Sequence, residues 1–133
     1  MKNDKPQTKL DLENPISDQI VDATILIHRT LGPGLLESAY QQVMTYELQK
    51  RGLIVENEVA IPISYNDLVI QVGYRIDMLV NKAVIIETKT VEQLLPIHQA
   101  QLLTYLKLSG CKLGYLLNWN VVLMKYGIKR MVC

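Results

Sequence analysis

Cysteine is scarce: Cys111 and Cys133 are the only two. No Cys-x-x-Cys spacing exists, and two Cys and two His this far apart do not supply a zinc site. Both residues read as ordinary reduced thiols, which fits a cytoplasmic protein. An excess of either charge is also missing. Fourteen Lys and Arg against thirteen Asp and Glu leave +1, which excludes a strongly basic nucleic-acid coat and a strongly acidic binder but not a local basic groove. No apolar run approaches the ~18 residues of a membrane helix, and the mean hydropathy is only +0.11, so no membrane association is expected. The charged opening stretch, Met1 to Glu13, lacks the apolar region of a signal peptide. Lipidation signals, repeats and low-complexity segments are absent as well.

What remains is the size and composition of one globular domain. The 133 residues are 49% hydrophobic and 20% charged, which rules out disorder. A chain of this length buries roughly two-thirds of its unfolded surface, enough for a core without staples. Residues 1–14 are polar and aperiodic and read as a flexible tail; residues 15–133 read as one domain. Asn14-Pro15 has the capping chemistry of a helix start, and Ile20, Thr24, Ile27 and Leu31 follow at helical spacing until Gly32-Pro33-Gly34. A second helix spans about Leu36 to Arg51 and stops at Gly52. The period then becomes two. Val59 to Tyr65 reads as a strand, Asn66-Asp67 as a turn, and Leu68 to Tyr74, Arg75 to Val80 and Val84 to Lys89 as further strands. Val84-Ile85-Ile86 is apolar at consecutive positions, so both faces of that strand should be covered. Pro96 opens a third helix ending near Gly110, and Lys112 to Leu117 and Val121 to Val132 read as closing strands. Two helices, a meander of about four strands, a helix and more strands make an α/β fold that is not doubly wound.

The chemistry concentrates in Asp77 and in Glu87-Thr88-Lys89. Strand alternation puts Glu87 and Lys89 on one face and Thr88 on the other. A charged pair on an otherwise apolar strand is costly unless compensated, and buried pairs of this kind serve structure as well as function. Register decides between these. A two-residue turn at Asn81-Lys82 sends Asp77 to the face away from Glu87. A three-residue loop, Asn81 to Ala83, pairs Val80 with Val84 and Asp77 with Glu87. Paired Cβ atoms lie ~4.5–5.5 Å apart, close enough for two carboxylates to share a divalent ion, and hard oxygen ligands favour magnesium or manganese. Two further groups are weaker. His98, Gln101 and Tyr105 are spaced three and four apart on one helix face, where a substrate phosphate is one partner that would satisfy them and a solvated stripe the alternative. Glu37 and Tyr40 share a face of the second helix, although an acid in a first turn also suits the helix dipole. His28, set among Ile25, Leu26 and Ile27, reads as a core residue.

Taken in order, these pieces resemble a known family. Gly34-x-x-Glu37-x-x-Tyr40 matches the motif of the GxxExxY proteins, which fall in the PD-(D/E)XK nuclease superfamily. The resemblance runs from about Ile20 to Val132 and includes His28, Gly32-Pro33-Gly34, Tyr74-Arg75 before Asp77, Glu87-x-Lys89, His98 with Gln101 and Tyr105, and Gly127 to Arg130. Thr88 departs from the apolar residue often found between Glu and Lys. The resemblance implies a nuclease-like core: a mixed sheet, with a β-meander, flanked by helices. It implies that Asp77 and Glu87 bind magnesium or manganese with help from the Thr88 carbonyl, that Lys89 orients or activates water, and that Glu37 is an extra catalytic and metal-binding carboxylate. Gln101 and Tyr105, with His98 and Tyr40, are then expected to contact substrate. The implied activity is metal-dependent hydrolysis of phosphodiester bonds, with DNA as the expected nucleic acid and a homodimer as the expected clamp. The rival is a catalytically silent module that binds nucleic acid or protein on the same fold.

Overall fold

A computed structural model describes residues 9–133 of the chain, with side chains from Pro15 onward. Helix α1 is Lys9–Leu31 and α2 is Glu37–Lys50. The strands are β1 Val55–Ala60, β2 Ile63–Tyr65, β3 Leu68–Ile70, β4 Arg75–Val80 and β5 Val84–Lys89. Helix α3, Pro96–Ser109, leads into β6, Leu113–Asn118; a 3-10 turn, Met124–Tyr126, precedes β7, Ile128–Val132.

Three expectations need correction. Helix α1 begins at Lys9, with Pro15 inside it, so Asn14-Pro15 is not the start. Proline lacks an N–H and so removes one helical hydrogen bond, a loss a long helix can absorb. The tail expected at residues 1–8 lies outside the described residues. The expected strand from Val121 to Val132 is a 3-10 turn followed by a shorter strand. The expected strands Val59–Tyr65 and Leu68–Tyr74 split as well. Ile63–Tyr65 and Leu68–Ile70 pair only with each other, outside the main sheet. Pro62 stands at the break and cannot donate to a ladder.

The main sheet has five strands in the order β1-β4-β5-β6-β7. Neighbours are antiparallel except β5 and β6, which are parallel, because α3 carries the chain back between them. The central strand β5 is buried from Val84 to Thr88, as its apolar run anticipates. Alternation divides its side chains between two cores. Val84 and Ile86 join α1 and α2 through Ile20, Tyr40 and Met44. Ile85 joins α3 through Leu102, Tyr105 and Leu106. Helices therefore cover both faces, and the carboxyl end of β5 comes out between them.

Two glycines matter to this arrangement. Gly110 ends α3 at φ 78°, and its N–H returns to the Leu106 carbonyl, a left-handed cap that suits glycine. Gly127 sits against β6: a Cβ there would lie 2.1 Å from the Asn118 carbonyl oxygen. Gly127→Ala is therefore expected to lose about 1–3 kcal/mol of stability through forced displacement of that backbone. Urea melts measure this, and an unchanged midpoint and slope would show that the turn relaxes freely.

Candidate active site

The site grows from a fault in the β4–β5 ladder. Val80 pairs with Val84, Leu79 with Ile85 and Met78 with Ile86, so the turn is the three-residue loop Asn81–Ala83. One further step sets Asp77 opposite Glu87, but the recorded pairing stops first. Side chains take over. The Thr88 N–H donates to Asp77 Oδ2 at 2.9 Å, and Thr88 Oγ1 donates to the same oxygen at 3.3 Å. In return, the Asp77 N–H donates to Glu87 Oε1 at 3.1 Å.

The fault has a structural cause in β1. Asn57 pairs with Met78 and Val59 with Ile76, leaving Glu58 beside Asp77. Glu58 has φ 53°, a left-handed conformation that costs a non-glycine residue about 1–3 kcal/mol. At this point β4 changes face: Met78 joins the core under α1 and α2, whereas Ile76, two residues away, joins the core under α3. The expectation that Asp77, Glu87 and Lys89 simply share one face is thus modified. Asp77 lies at a twist and reaches both Thr88 and Glu87.

Gln41 stabilises the fault, and sequence reasoning missed it. Its Nε2 lies 3.0 Å from the Asp77 carbonyl, 3.0 Å from Glu58 Oε1 and 3.1 Å from Asn57 Oδ1. The available signal was its place four residues after Glu37, on the same face of α2. Asn118 was also missed. It is buried, and its side chain accepts from the Val91 N–H and donates to the Val91 carbonyl. With the Trp119 N–H donating to the Lys89 carbonyl, it fixes the chain just beyond Lys89.

Electrostatics binds the acids into one group. Glu87 is 5% exposed. Burial, then the charge of Asp77 and a hydrogen bond between the two carboxyls, pushes its pKa up to about 9, opposed by the Asp77 N–H that donates to Glu87 and then by Lys89. Glu37, the first residue of α2, is half-buried. Its pKa is raised by burial and then by Asp77, while Lys89 and a hydrogen bond with Thr88 oppose the rise. The Tyr105 hydroxyl is also raised, first by burial, then by Glu87, Asp77 and Tyr74. Among the described residues, no carboxylate lies within 4.0 Å of the Lys89 ammonium.

A model of the PD-(D/E)XK nuclease superfamily matches residues 14–131. The chain belongs to the PD-(D/E)XK nuclease superfamily. No curated protein and no solved structure matches it. The five-stranded mixed sheet flanked by helices agrees with that superfamily's fold.

Members of the superfamily usually use a divalent metal. Two neighbouring carboxyls, one of them with its pKa raised by burial and then by the other's charge, are a donor set into which a hard cation fits. Glu37 stands beside this pair: the charges of Asp77 and Lys89 act on it, and Thr88 hydrogen-bonds its carboxylate.

The remaining expected residues separate. Lys89, His98, Gln101 and Tyr105 line one cavity beside the acids. His98 is partly committed, since its Nδ1 accepts from the Leu95 N–H at 3.0 Å and caps α3. Tyr40 leaves the substrate set. It is fully buried, it stacks on Trp119 with ring centroids 4.6 Å apart, and its hydroxyl donates to the Gly32 carbonyl. The tyrosine braces the loop that leads into Glu37 and does not face the site. His28 is a buried core residue, as expected, with Nε2 2.8 Å from the Val121 carbonyl.

Proposed function

We propose that this protein is a magnesium- or manganese-dependent nuclease, of the GxxExxY kind, that hydrolyses phosphodiester bonds in nucleic acid, with DNA as the leading substrate. The observation that carries this reading is the meeting of the Asp77 and Glu87 carboxyls beside Lys89. Ordinary packing gives no reason to bring two acids together from adjoining strands at the edge of a core.

In this reading Asp77 and Glu87 would hold the ion, and the Thr88 carbonyl would add a third protein oxygen. Glu87 would have to give up its proton to bind a cation. The bound ion would polarise the phosphoryl oxygen and lower the pKa of the attacking water. Lys89 orients that water and offsets the negative charge that grows on the phosphate in the transition state. Glu37, at the start of α2, would be the extra carboxylate beside the ion, and Gln41 holds the twisted backbone that aims Asp77. Gln101 and Tyr105 position the substrate from α3.

Two finer assignments go with it. Cys111 and Cys133 are free thiols, which suits a reducing cytoplasm. The exposed hairpin tip, with Leu68 and Val69 56% and 62% exposed, is a surface on which a second copy could sit, giving the homodimer.

Purified protein incubated with labelled DNA and RNA tests the central claim. Cleavage is expected in magnesium or manganese and not in EDTA. Binding without cleavage under every metal condition would instead identify a silent module.

A further inference from the structure

The cavity beside Lys89 has a volume of about 510 Å³ and lies between α3 and the segment that leads into β4. Its walls are largely aromatic and aliphatic: Tyr74 and Tyr105, with Ile63, Ile97 and Leu108. Two of these remain open to solvent, Tyr74 at 46% and Ile97 at 67%. Lys89 is the one cationic residue in the lining. Gln101 also lines it, and its amide makes no hydrogen bond among the described residues. That amide offers both donors and an acceptor.

These features favour a base over a backbone. Duplex grip comes from several Lys and Arg contacts to phosphates, and this wall supplies one cation on a chain of net charge +1. Single strands are held differently, by stacking unpaired bases on aromatic side chains. A paired base keeps both faces stacked within its helix and has none to offer Tyr74. We propose that this cavity takes an unpaired nucleobase next to the cleaved phosphate, so that the substrate is nucleic acid with a single-stranded segment at the site. The inference rests on the nuclease reading for the position of the phosphate at Lys89. The cavity's continuity with Lys89 fixes the occupant, because a phosphate bound there carries its own nucleoside into the adjoining space.

Binding in EDTA separates this inference from the chemistry. The probes are a 2-aminopurine oligonucleotide, single-stranded, and a blunt duplex of the same sequence. The single strand is expected to bind about tenfold or more tightly than the duplex, with quenched fluorescence. Tyr74→Ala should weaken single-strand binding by about tenfold and Tyr74→Phe should not. Ile97→Ala, at a more exposed position, supplies a second variant if Tyr74→Ala fails to fold, and should reduce the same preference. Equal or tighter duplex binding, no binding of either probe, or a preference unchanged in both alanine variants overturns the inference. Metal-dependent cleavage together with such a result leaves the nuclease reading in place. A preserved single-strand preference without cleavage in any metal supports the cavity assignment and removes the nuclease reading.

Discussion

Glu87→Ala is expected to reduce magnesium-dependent cleavage by about a hundred- to a thousandfold or more, on the scale at which single charge-stabilising groups act in enzymes. Asp77→Ala and Lys89→Ala should fall in the same range, while far-ultraviolet circular dichroism reports a folded domain. The three residues are expected to lose activity for different reasons. Asp77 and Glu87 would hold the ion, so excess magnesium should recover part of the loss in the milder Asp77→Asn. Lys89 would act on the water and the developing charge, so added magnesium should not rescue Lys89→Met. Gln101→Ala should lose less, because it would position substrate without touching the ion. Tyr105 calls for Phe in place of Ala: it is 6% exposed and packs in the core under α3, so truncation to Ala would open a cavity costing about 3–5 kcal/mol. Tyr105→Phe removes only the hydroxyl and should also have the smaller effect. Equal cleavage by wild type and Glu87→Ala would assign the activity to a contaminant or to another part of the chain.

Much of this frame was legible because its signals are local. The apolar run Val84 to Ile86 announced a strand covered on both faces, and Gly52 and Gly110 marked helix ends. The three-residue turn was one of two registers the sequence allowed, and the pairing of Val80 with Val84 selects it. The hidden parts depend on partners distant in sequence. Alternation from Val59 to Tyr65 runs unbroken past Pro62, yet the sheet partner changes there, and a period of two carries no record of the partner. The twist at Asp77 was invisible because it follows from the left-handed Glu58 in a neighbouring strand, and glutamate gives no sign of such a conformation. Tyr40 shows the opposite failure. Helical spacing put it near Glu37, but spacing could not reveal that Trp119 would cover its ring. The acids and Lys89 stood out because charge within apolar strands is conspicuous. Gln41 and Asn118, which hold the surrounding backbone, are neutral and were passed over.

Without metal, wild-type stability is expected to fall as pH rises from about 4.5 towards 9, and Glu87→Gln should remove most of that fall. Burial and Asp77 raise the Glu87 pKa from 4.5 to about 9. Below the lower value both folded and unfolded chains hold the proton, and the stability contribution is fully present. Between the two values only the folded chain keeps it, so stability declines with pH by at most about 1.4 kcal/mol per unit. Above the upper value both forms have lost it and the slope ends. Glu37, shifted in the same direction, adds to the decline. The Gln variant carries no proton to lose at this position, so at pH 8 it should match or exceed the apo wild type. Magnesium should then replace the proton, releasing about one proton per ion bound. At a hundredfold excess over its dissociation constant it should stabilise the wild type by about 2.7 kcal/mol, an effect that shrinks as pH falls and protons compete. The Gln variant should lose most of this response. A structural Glu87–Lys89 ion pair makes the opposite forecast: Glu87→Gln lowers apo stability, and magnesium changes neither protein. Thermal melts of both proteins at pH 6 and pH 8, in EDTA and in magnesium, distinguish the two, and a destabilised variant beside a metal-indifferent wild type would remove Glu87 from the catalytic set.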